Sequence, residues 1–151
     1  MGLFRHRETK TAVVFMSTHL DHRGEIAREE SARLLLKLAR TWPGDPHVPV
    51  FLGGDLNSKP SGGAYKILAS PSSGMTDISD IVQDDAKYGH GEITYTSFGE
   101  TDGEPRRIDF LFVRSRESLN FLTYSILSNR FDDMVYLSDH RPVVADVEVP
   151  V

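Results

Sequence analysis

The pattern of hydrophobic and polar positions predicts strands and helices that alternate along the chain. Thr11–Thr18 is an almost unbroken apolar run rich in β-branched residues, which is typical of a buried strand. Apolar positions at helical spacing follow over Gly24–Thr41, and a second buried run, Val48–Leu52, comes next. A strand, a helix and a strand of these lengths predict a βαβ-type unit.

The predicted helix has polarity along its length as well as around its axis. Glutamates occupy its first half and basic residues its second half, as the helix dipole favours. Trp42-Pro43-Gly44 then ends it. One face is predicted to be apolar and comprises Ala27, Ser31, Leu34, Leu35, Leu38 and Trp42.

The second half of the chain predicts shorter elements. A short helix is expected over Gly62–Ser70, and Pro71–Gly91 is expected to be a loop with one helical turn near Ile78–Val82. The segment Gly99–Pro105 is rich in turn-forming residues. Further strands are predicted over Ile93–Phe98, Arg107–Val113, Leu119–Leu127 and Val143–Val149.

Composition narrows the class of protein. The 151 residues, 39% of them hydrophobic, correspond to one domain at most, and no apolar stretch is long enough to span a bilayer. The first ten residues lack the apolar core of a signal peptide, and the absence of cysteine excludes disulfides and thiolate metal sites, so we expect an intracellular protein. A formal charge of −5 argues against non-specific binding to nucleic acid. It does not exclude a nuclease, because acidic residues that hold a divalent cation attract phosphate once the metal is bound.

Polar side chains gather where the predicted strands end. After Val48–Leu52, two glycines allow the backbone to turn and are followed by Asp55 and Asn57, which point the same way in an extended segment and can converge on a water, a metal ion or a phosphate oxygen. His19 ends the preceding strand and is expected near Asp55, since ligands in α/β sheets bind at such strand ends. The other polar residues at strand ends are Asp109, Asp139 and His140.

Together these side chains fit the attack of water on a phosphoester. That reaction needs a carboxylate to orient or deprotonate the water, and donors and cations on the phosphoryl oxygens. A divalent metal ion stabilises the developing charge. Hard oxygen ligands without cysteine favour Mg²⁺ or Mn²⁺ over zinc.

Four segments in this order, THLDH, GGDLNSKP, RRIDFLFV and SDHRPVVAD, resemble the last four signature blocks of the endonuclease/exonuclease/phosphatase superfamily. DNase I, abasic-site endonucleases, inositol polyphosphate 5-phosphatases and sphingomyelinases share this fold. The resemblance implies an α/β fold, a DNase I-like β-sandwich flanked by helices in four layers (α/β/β/α), with residues 1–151 forming a single domain. It also implies a divalent-metal-dependent phosphoester hydrolase.

The same resemblance implies a role for each site residue. Asp55 would position and activate the attacking water, and Asn57, His140 and His19 would contact the phosphate. Asp109 would orient the ring of His140, and Asp139 would lie at the metal or assist the leaving group. The adjacent cations Lys59 and Arg107 are interpreted as solvated surface residues.

One departure from the family pattern affects the expected activity. Members normally begin with a strand that carries a metal-contacting Asn, followed by a Gln-Glu pair whose Glu is the principal metal ligand. Nothing before Thr11 matches either block, because Glu8 has no Gln before it and no strand is predicted to lead into it. We therefore expect a C-terminal portion of the fold, with exposed apolar surface, weak or absent activity and a complementing N-terminal segment.

Three alternatives are considered beside this hypothesis. His19-Leu20-Asp21-His22 is similar to part of a zinc metallo-β-lactamase motif, although Ser17 stands where its first His belongs. A catalytically silent binding module of the same fold is the second alternative. A serine hydrolase using Ser138, His140 and Asp109 is disfavoured because the chain has no GxSxG segment. The substrate class stays open among nucleic acid, nucleotide, inositol phosphate and phospholipid headgroup, with specificity expected in segments 71–91, 99–105 and 129–137.

Overall fold

Two β-sheets pack face to face, and both α-helices pack on the outer face of the larger sheet. The coordinates are a computed structural model that describes residues 1–99, 104 and 106–150, so most of the turn-rich segment 99–105 lies outside the described residues. The strands are β1 (Gly2–Arg5), β2 (Ala12–His19), β3 (Val50–Asp55), β4 (Met75–Asp77), β5 (Lys87–Gly89), β6 (Asp109–Arg114), β7 (Asn120–Ile126) and β8 (Val143–Glu148), and the helices are α1 (Glu25–Thr41) and α2 (Gly63–Leu68). Short 3₁₀ helices cover Ile78–Asp80, Asp84–Ala86 and Ser97–Gly99.

Strand pairing in the larger sheet brings three predicted site residues to one edge. The sheet has the order β1-β2-β3-β6-β4, and the smaller sheet has the order β5-β7-β8. β2 and β3 are parallel, as the βαβ pattern predicts, and their register pairs His19 with Asp55. β6 runs antiparallel to β3 on its other side, and there Asp55 pairs with Asp109. The last residue of β2, the last of β3 and the first of β6 are thus neighbours.

Helix α1 buries a face that matches the predicted one only in part, because Leu35 and Leu38 pack against the core as expected. Ala32 and Ala39 are its fully buried residues, whereas Leu34 is 55% exposed and Trp42 is 44% exposed. Small side chains let the helix backbone approach the sheet and α2 closely, and Leu35 and Leu36 fill the space beside them. The hydrophobic pattern favours large apolar residues and therefore rotates the predicted face away from the alanines.

Three predictions about strands are wrong. Ile93–Phe98 is not a strand: Tyr95 makes only isolated bridges, to Arg106 and His140, and the backbone then turns through positive φ at Ser97 (51°) and Phe98 (55°). Pro71–Gly91 contains β4 and β5 as well as the predicted helical turn. The first residues form β1, which pairs with β2 although it is too short to be predicted from its own sequence.

An open apolar cavity of about 920 Å³ lies between the sheets on the side of β1 and β2. Aromatic and aliphatic side chains line it, and Phe15 stacks on Phe51 with ring centroids 5.2 Å apart while staying 50% exposed. The expectation that a strand of buried type exposes apolar surface is confirmed. Among the described residues, no helix is long and apolar enough to cross a membrane.

Candidate active site

Asp55 reaches the site because Gly54 precedes it. Gly54 has φ 144°, and a Cβ at this position would overlap the carbonyl oxygen of Thr18 on the neighbouring strand. Only glycine therefore allows β3 to follow β2 closely to its end. That close approach places the Asp55 carboxylate beside His19, whose Nε2 lies 3.3 Å from Asp55 Oδ2.

Asp55, His140 and Asp109 form a continuous polar cluster. His140 Nδ1 lies 2.8 Å from Asp109 Oδ2, and His140 Nε2 lies 3.8 Å from Asp55 Oδ2. The side chains of Asp55 and Asp109 are 12% and 17% exposed and that of His140 is 27% exposed, whereas His19 is 74% exposed. One carboxylate therefore contacts one ring nitrogen of His140, and the second nitrogen faces the other carboxylate.

Burial raises the pKa of the Asp55 carboxyl, and the nearby Asp109 carboxylate raises it further. The backbone N–H of Asn57, which donates to Asp55 Oδ1 at 2.7 Å, opposes this rise, as do His140 and His19. A carboxylate with a raised pKa is a stronger base than an ordinary one and accepts a proton from water more readily. The environment of Asp55 is thus suited to a general base.

Asn57 is fixed beside Asp55 in a left-handed backbone conformation with φ 47°. Asparagine tolerates this conformation better than most residues because its short polar side chain bonds locally. Its Nδ2 donates to the carbonyl oxygen of Leu20 at 2.9 Å, which ties the loop after β3 to the loop after β2. Two of the predicted site segments are therefore held together through this amide.

Thr94 and Tyr95, which were not predicted as site residues, contact the residues of the polar cluster. The hydroxyl of Thr94, a fully buried residue, accepts hydrogen bonds from the backbone N–H groups of Ile108 (3.0 Å) and Asp109 (3.1 Å). The ring of Tyr95 contacts that of His140 edge to face, with centroids 5.2 Å apart. Sequence reasoning missed both residues, since nothing in the local pattern marks residues whose roles arise from contacts across the fold.

Asp139 lies next to His140 but does not join the cluster. Its backbone carbonyl oxygen accepts from the N–H and hydroxyl of Thr96 at 2.8 and 3.0 Å, and the Ser138 hydroxyl donates to its carboxylate at 3.4 Å. The metal or leaving-group role of Asp139 stays a prediction. Ser138 also accepts the backbone N–H of His140 at 3.0 Å, while the His140 ring faces the two aspartates, an arrangement unlike that of a serine nucleophile and its base.

Within the described part of the chain, Asp55, Asp109 and His140 are the one set of His, Asp and Glu side chains able to hold a metal ion together, with ligand atoms within 4.8 Å of one another. Two carboxylates in such a set provide the hard oxygen ligands that Mg²⁺ and Mn²⁺ prefer.

The zinc alternative, which rests on His19, Asp21 and His22, gains no support from the contacts of Asp21 and His22. Asp21 instead accepts the backbone N–H groups of Arg23 and Gly24 where α1 begins, and His22 contacts the Arg23 side chain.

Lys59 and Arg107, the two cations adjacent to predicted site segments, have different environments. Lys59 is exposed, as predicted, and its Nζ lies 3.0 Å from Glu104 Oε2. Arg107 was predicted to be a solvated surface residue, and this is wrong: it is buried, and one guanidinium nitrogen donates to Asp77 and Ser79, each at 2.7 Å. From the sequence alone, an arginine next to a strand is predicted to be exposed, because the carboxylate that compensates its burial lies 30 residues away.

The chain resembles solved structures over nearly its whole length. A protein from Bacteroides vulgatus described as an endonuclease/exonuclease/phosphatase is 27% identical, with a TM-score of 0.79, and the match covers 98% of this chain and 54% of that one. A mannosyl-6-phosphatase from Bacteroides thetaiotaomicron is 26% identical, also with a TM-score of 0.79, covering 98% and 55%. The human Nocturnin catalytic domain, at 22% identity and a TM-score of 0.73, covers 97% and 50% and shares the fold.

This chain therefore spans about half the length of the solved structures it matches. No protein of the curated set matches it significantly. The model of the endonuclease/exonuclease/phosphatase family matches residues 2–140, which include all the predicted site residues. Strand β8 lies outside the matched range. The chain belongs to the endonuclease/exonuclease/phosphatase family.

Proposed function

We propose that this chain carries most of the active site of a divalent-metal-dependent phosphoester hydrolase. The observation that supports the proposal best is the polar cluster in which His140 contacts Asp109 at 2.8 Å and faces Asp55 at 3.8 Å. In the proposed reaction Asp55 orients a water molecule and accepts its proton as the water attacks phosphorus. The bond from phosphorus to the ester oxygen breaks, and the alcohol leaves with a proton taken from solvent. His140, held by Asp109, donates a hydrogen bond to a phosphoryl oxygen.

Asn57 and His19 are proposed to complete the contacts to the phosphate. Asn57 is fixed at the same edge by its hydrogen bonds to Asp55 and Leu20, so its amide is pre-oriented. His19 is largely exposed and lies on the open side of Asp55, where a substrate approaches from solvent. These two residues bind the phosphate, whereas Asp55 acts on the water.

The metal is proposed to be Mg²⁺ or Mn²⁺. In this chain Asp55 and Asp109 would hold it, and Asp139, which precedes His140, is a further candidate ligand. When bound, such an ion stabilises negative charge that develops on the phosphoryl oxygens. Two carboxylates are few for a cation that prefers about six oxygen ligands. We therefore propose that a complementing N-terminal segment supplies further ligands and covers the open apolar cavity.

The test is hydrolysis of p-nitrophenyl phosphate and bis(p-nitrophenyl) phosphate with Mg²⁺ or Mn²⁺. Asp55→Ala and His140→Ala are each expected to lower kcat/KM by at least about 100-fold, because each removes a group used in the transition state. His47→Ala, an exposed histidine outside the cluster, is the matched control and should leave the rate unchanged. The measurement is made on this chain and on the longer protein in which the preceding strands are restored.

Two outcomes would contradict parts of the proposal. If the longer protein hydrolyses no phosphoester, the function is wrong. If this chain alone turns over rapidly, the inference that a principal metal ligand lies outside it is wrong. The expected result is weak or absent activity of the 151-residue chain and strong, Asp55-dependent activity of the longer protein.

A catalytically silent binding module is the second candidate. It is favoured by the engagement of His140 Nδ1 with Asp109, which leaves few free ligand atoms for a cation among the described residues. Isothermal titration of the chain with Mg²⁺ and Mn²⁺ discriminates the two. Clear single-site binding that is lost in Asp109→Asn would count against a silent module.

A further inference from the structure

A second polar cavity lies next to the proposed active site. It has a volume of about 370 Å³, and Asn57 is part of its wall. Asn57 also contacts Asp55 through its backbone N–H, so the cavity and the catalytic cluster share this residue. The cavity opens between the start of α1 and the segments that follow β3 and precede β6.

Basic side chains from three separate segments line this cavity. Arg28 comes from α1, Lys59 from the loop after β3, and Arg106 from the segment before β6, and His22 also lines the cavity. Among the described residues that line the cavity, Glu25 is the one carboxylate. A molecule of formal charge −5 thus gathers an excess of positive charge at one small concave place beside its phosphoester site.

Arg106 is connected to the catalytic cluster through an aromatic ring. Its guanidinium lies over the Tyr95 ring, 4.7 Å from the centroid, and the same ring contacts His140. Among the described residues, the buried Arg106 Nε has no hydrogen-bond partner. The guanidinium therefore lies against Tyr95 and forms no ion pair within the described part of the chain, and the nearby Glu104 carboxylate interacts with its charge at longer range.

Lys59 is also able to bind an added anion. Its contact with Glu104 Oε2 at 3.0 Å is exposed on both sides, the side chains being 47% and 76% exposed. Exposed ion pairs of this kind contribute little free energy, so Lys59 can exchange Glu104 for a phosphate. Arg28 donates to the backbone oxygen of Asp21 at 3.0 Å, which fixes its side chain, and its charge also acts on the exposed Asp21 carboxylate.

We infer that this cavity, lined by Arg28, Lys59 and Arg106, binds a second phosphate group of the substrate while the first lies at Asp55, Asn57 and His140. The inference rests on the proposed function and narrows its substrate to small phosphoesters that carry two phosphates a few bonds apart on one sugar-sized scaffold. A compact cavity fits one further phosphate. An extended nucleic-acid strand needs a longer basic groove, which the net charge disfavours.

The experiment compares two ligands that differ by one phosphate, AMP and adenosine 3′,5′-bisphosphate. Their affinities for this chain are measured by isothermal titration in EDTA, so that neither metal nor turnover contributes. The bisphosphate is expected to bind at least about tenfold more tightly, because the second phosphate adds charge-assisted hydrogen bonds to lysine and arginine. In Lys59→Gln/Arg106→Gln the ratio should fall below about twofold.

Three further variants make the result specific. Lys59→Gln alone changes an exposed residue and should lower the ratio without affecting folding, which circular dichroism checks. Glu104→Gln removes the competing acid of Lys59 and should raise the affinity for the bisphosphate about two- to threefold. Lys66→Gln on α2 makes the same charge change away from the cavity and should leave the ratio unchanged.

Equal affinities for AMP and the bisphosphate, or a preference that survives in Lys59→Gln/Arg106→Gln, would overturn the inference. A pentathymidylate that binds more tightly than the bisphosphate and depends on the same two cations would assign the cavity to a nucleic-acid backbone instead. The proposed function fails separately. A chain that binds the bisphosphate preferentially but belongs to a protein without hydrolytic activity keeps the phosphate cavity and loses the catalytic role.

Discussion

Asp55 stands beside His19 and His140 because the residue before it has no side chain. Gly53 and Gly54 look equivalent in the sequence, but their surroundings differ. Gly54 has a positive φ and faces the backbone of Thr18, whereas the nearest atom to a Cβ on Gly53 is a methyl carbon of Leu111 at 2.9 Å. A methyl carbon at the end of a flexible side chain can move, whereas a backbone carbonyl in a sheet cannot.

This contrast predicts unequal effects of two identical substitutions. Gly54→Ala should lower the free energy of unfolding by at least about 3 kcal/mol, because it combines backbone strain with an overlap. Gly53→Ala should cost less than about 1 kcal/mol, since only the Leu111 side chain must adjust. Urea unfolding followed by circular dichroism measures both. Equal costs would show that the close approach of β3 to β2 does not depend on Gly54.

The residues that the sequence could place are those that depend on local geometry. The parallel pairing expected of a βαβ unit suffices to bring Asp55 beside His19. Asn57 also lies beside Asp55, but in a left-handed conformation and not in the extended one that the i and i+2 spacing assumes. Thr94 bonds to residues 14 and 15 positions later, and Tyr95 contacts Arg106 and the still more distant His140, so no local pattern identifies them. Their discovery required the tertiary structure.

At the scale of elements, a buried ion pair joins two neighbouring strands of the larger sheet, and its arginine also contacts the smaller sheet. Arg107, which leads into β6, donates to Asp77 at the end of β4, and Asp77 also accepts the Tyr65 hydroxyl of α2 at 3.2 Å. Burial raises the pKa of the Asp77 carboxyl, and the charge of Arg107 acts against that rise. Arg107 lies within 3.5 Å of the Tyr124 hydroxyl on β7 as well. The pair therefore positions the strand that begins with Asp109.

Breaking only one half of this pair should be more damaging than removing both. Arg107→Met is expected to lower the free energy of unfolding by about 3–5 kcal/mol, because it leaves the Asp77 carboxylate buried without its cation. Asp77→Asn/Arg107→Met should recover part of that loss, since no uncompensated charge is left. Thermal or urea unfolding at pH 7 gives the comparison.

Arg33→Met provides the exposed control for this comparison. Arg33 is 52% exposed and pairs with Glu29 and Glu30 on the surface of α1, so its loss should change stability by no more than about 0.5 kcal/mol. A double variant no more stable than Arg107→Met would show that the network stabilises the fold through packing alone.

The elements themselves were predictable where the hydrophobic pattern is long and were missed where a partner strand creates them. The pattern located α1 and the strands β2, β3, β6, β7 and β8 to within a few residues. β1, β4 and β5 have three or four residues each and exist because a neighbouring strand offers free backbone groups. The segment around Tyr95 has an alternating pattern, but its backbone turns to reach Arg106 and His140.

At the scale of the whole molecule, the sandwich is closed on one side and open on the other. Val113 and Ile126 are fully buried between the sheets, while Phe4 and Phe15 on β1 and β2 are 57% and 50% exposed. The smaller sheet has three strands where the larger has five, and the open cavity separates the inner face of β1 and β2 from β8, the edge strand of the smaller sheet. An apolar face of this kind invites either a covering segment or association.

The covering segment proposed above gives Phe15 two different environments, and this can be tested. In the 151-residue chain, Phe15→Thr should cost less than about 1 kcal/mol of unfolding free energy, because the ring is half exposed and threonine suits a strand. It should also lower the binding of the dye ANS, which reports exposed apolar surface, by at least about half. In the longer protein the same change should cost about 3–5 kcal/mol, as expected for an aromatic ring removed from a core. Ile26→Thr, at a 79% exposed position on α1, should change neither quantity. Equal costs of Phe15→Thr in the two proteins would show that the preceding strands leave this face open and that another molecule covers it.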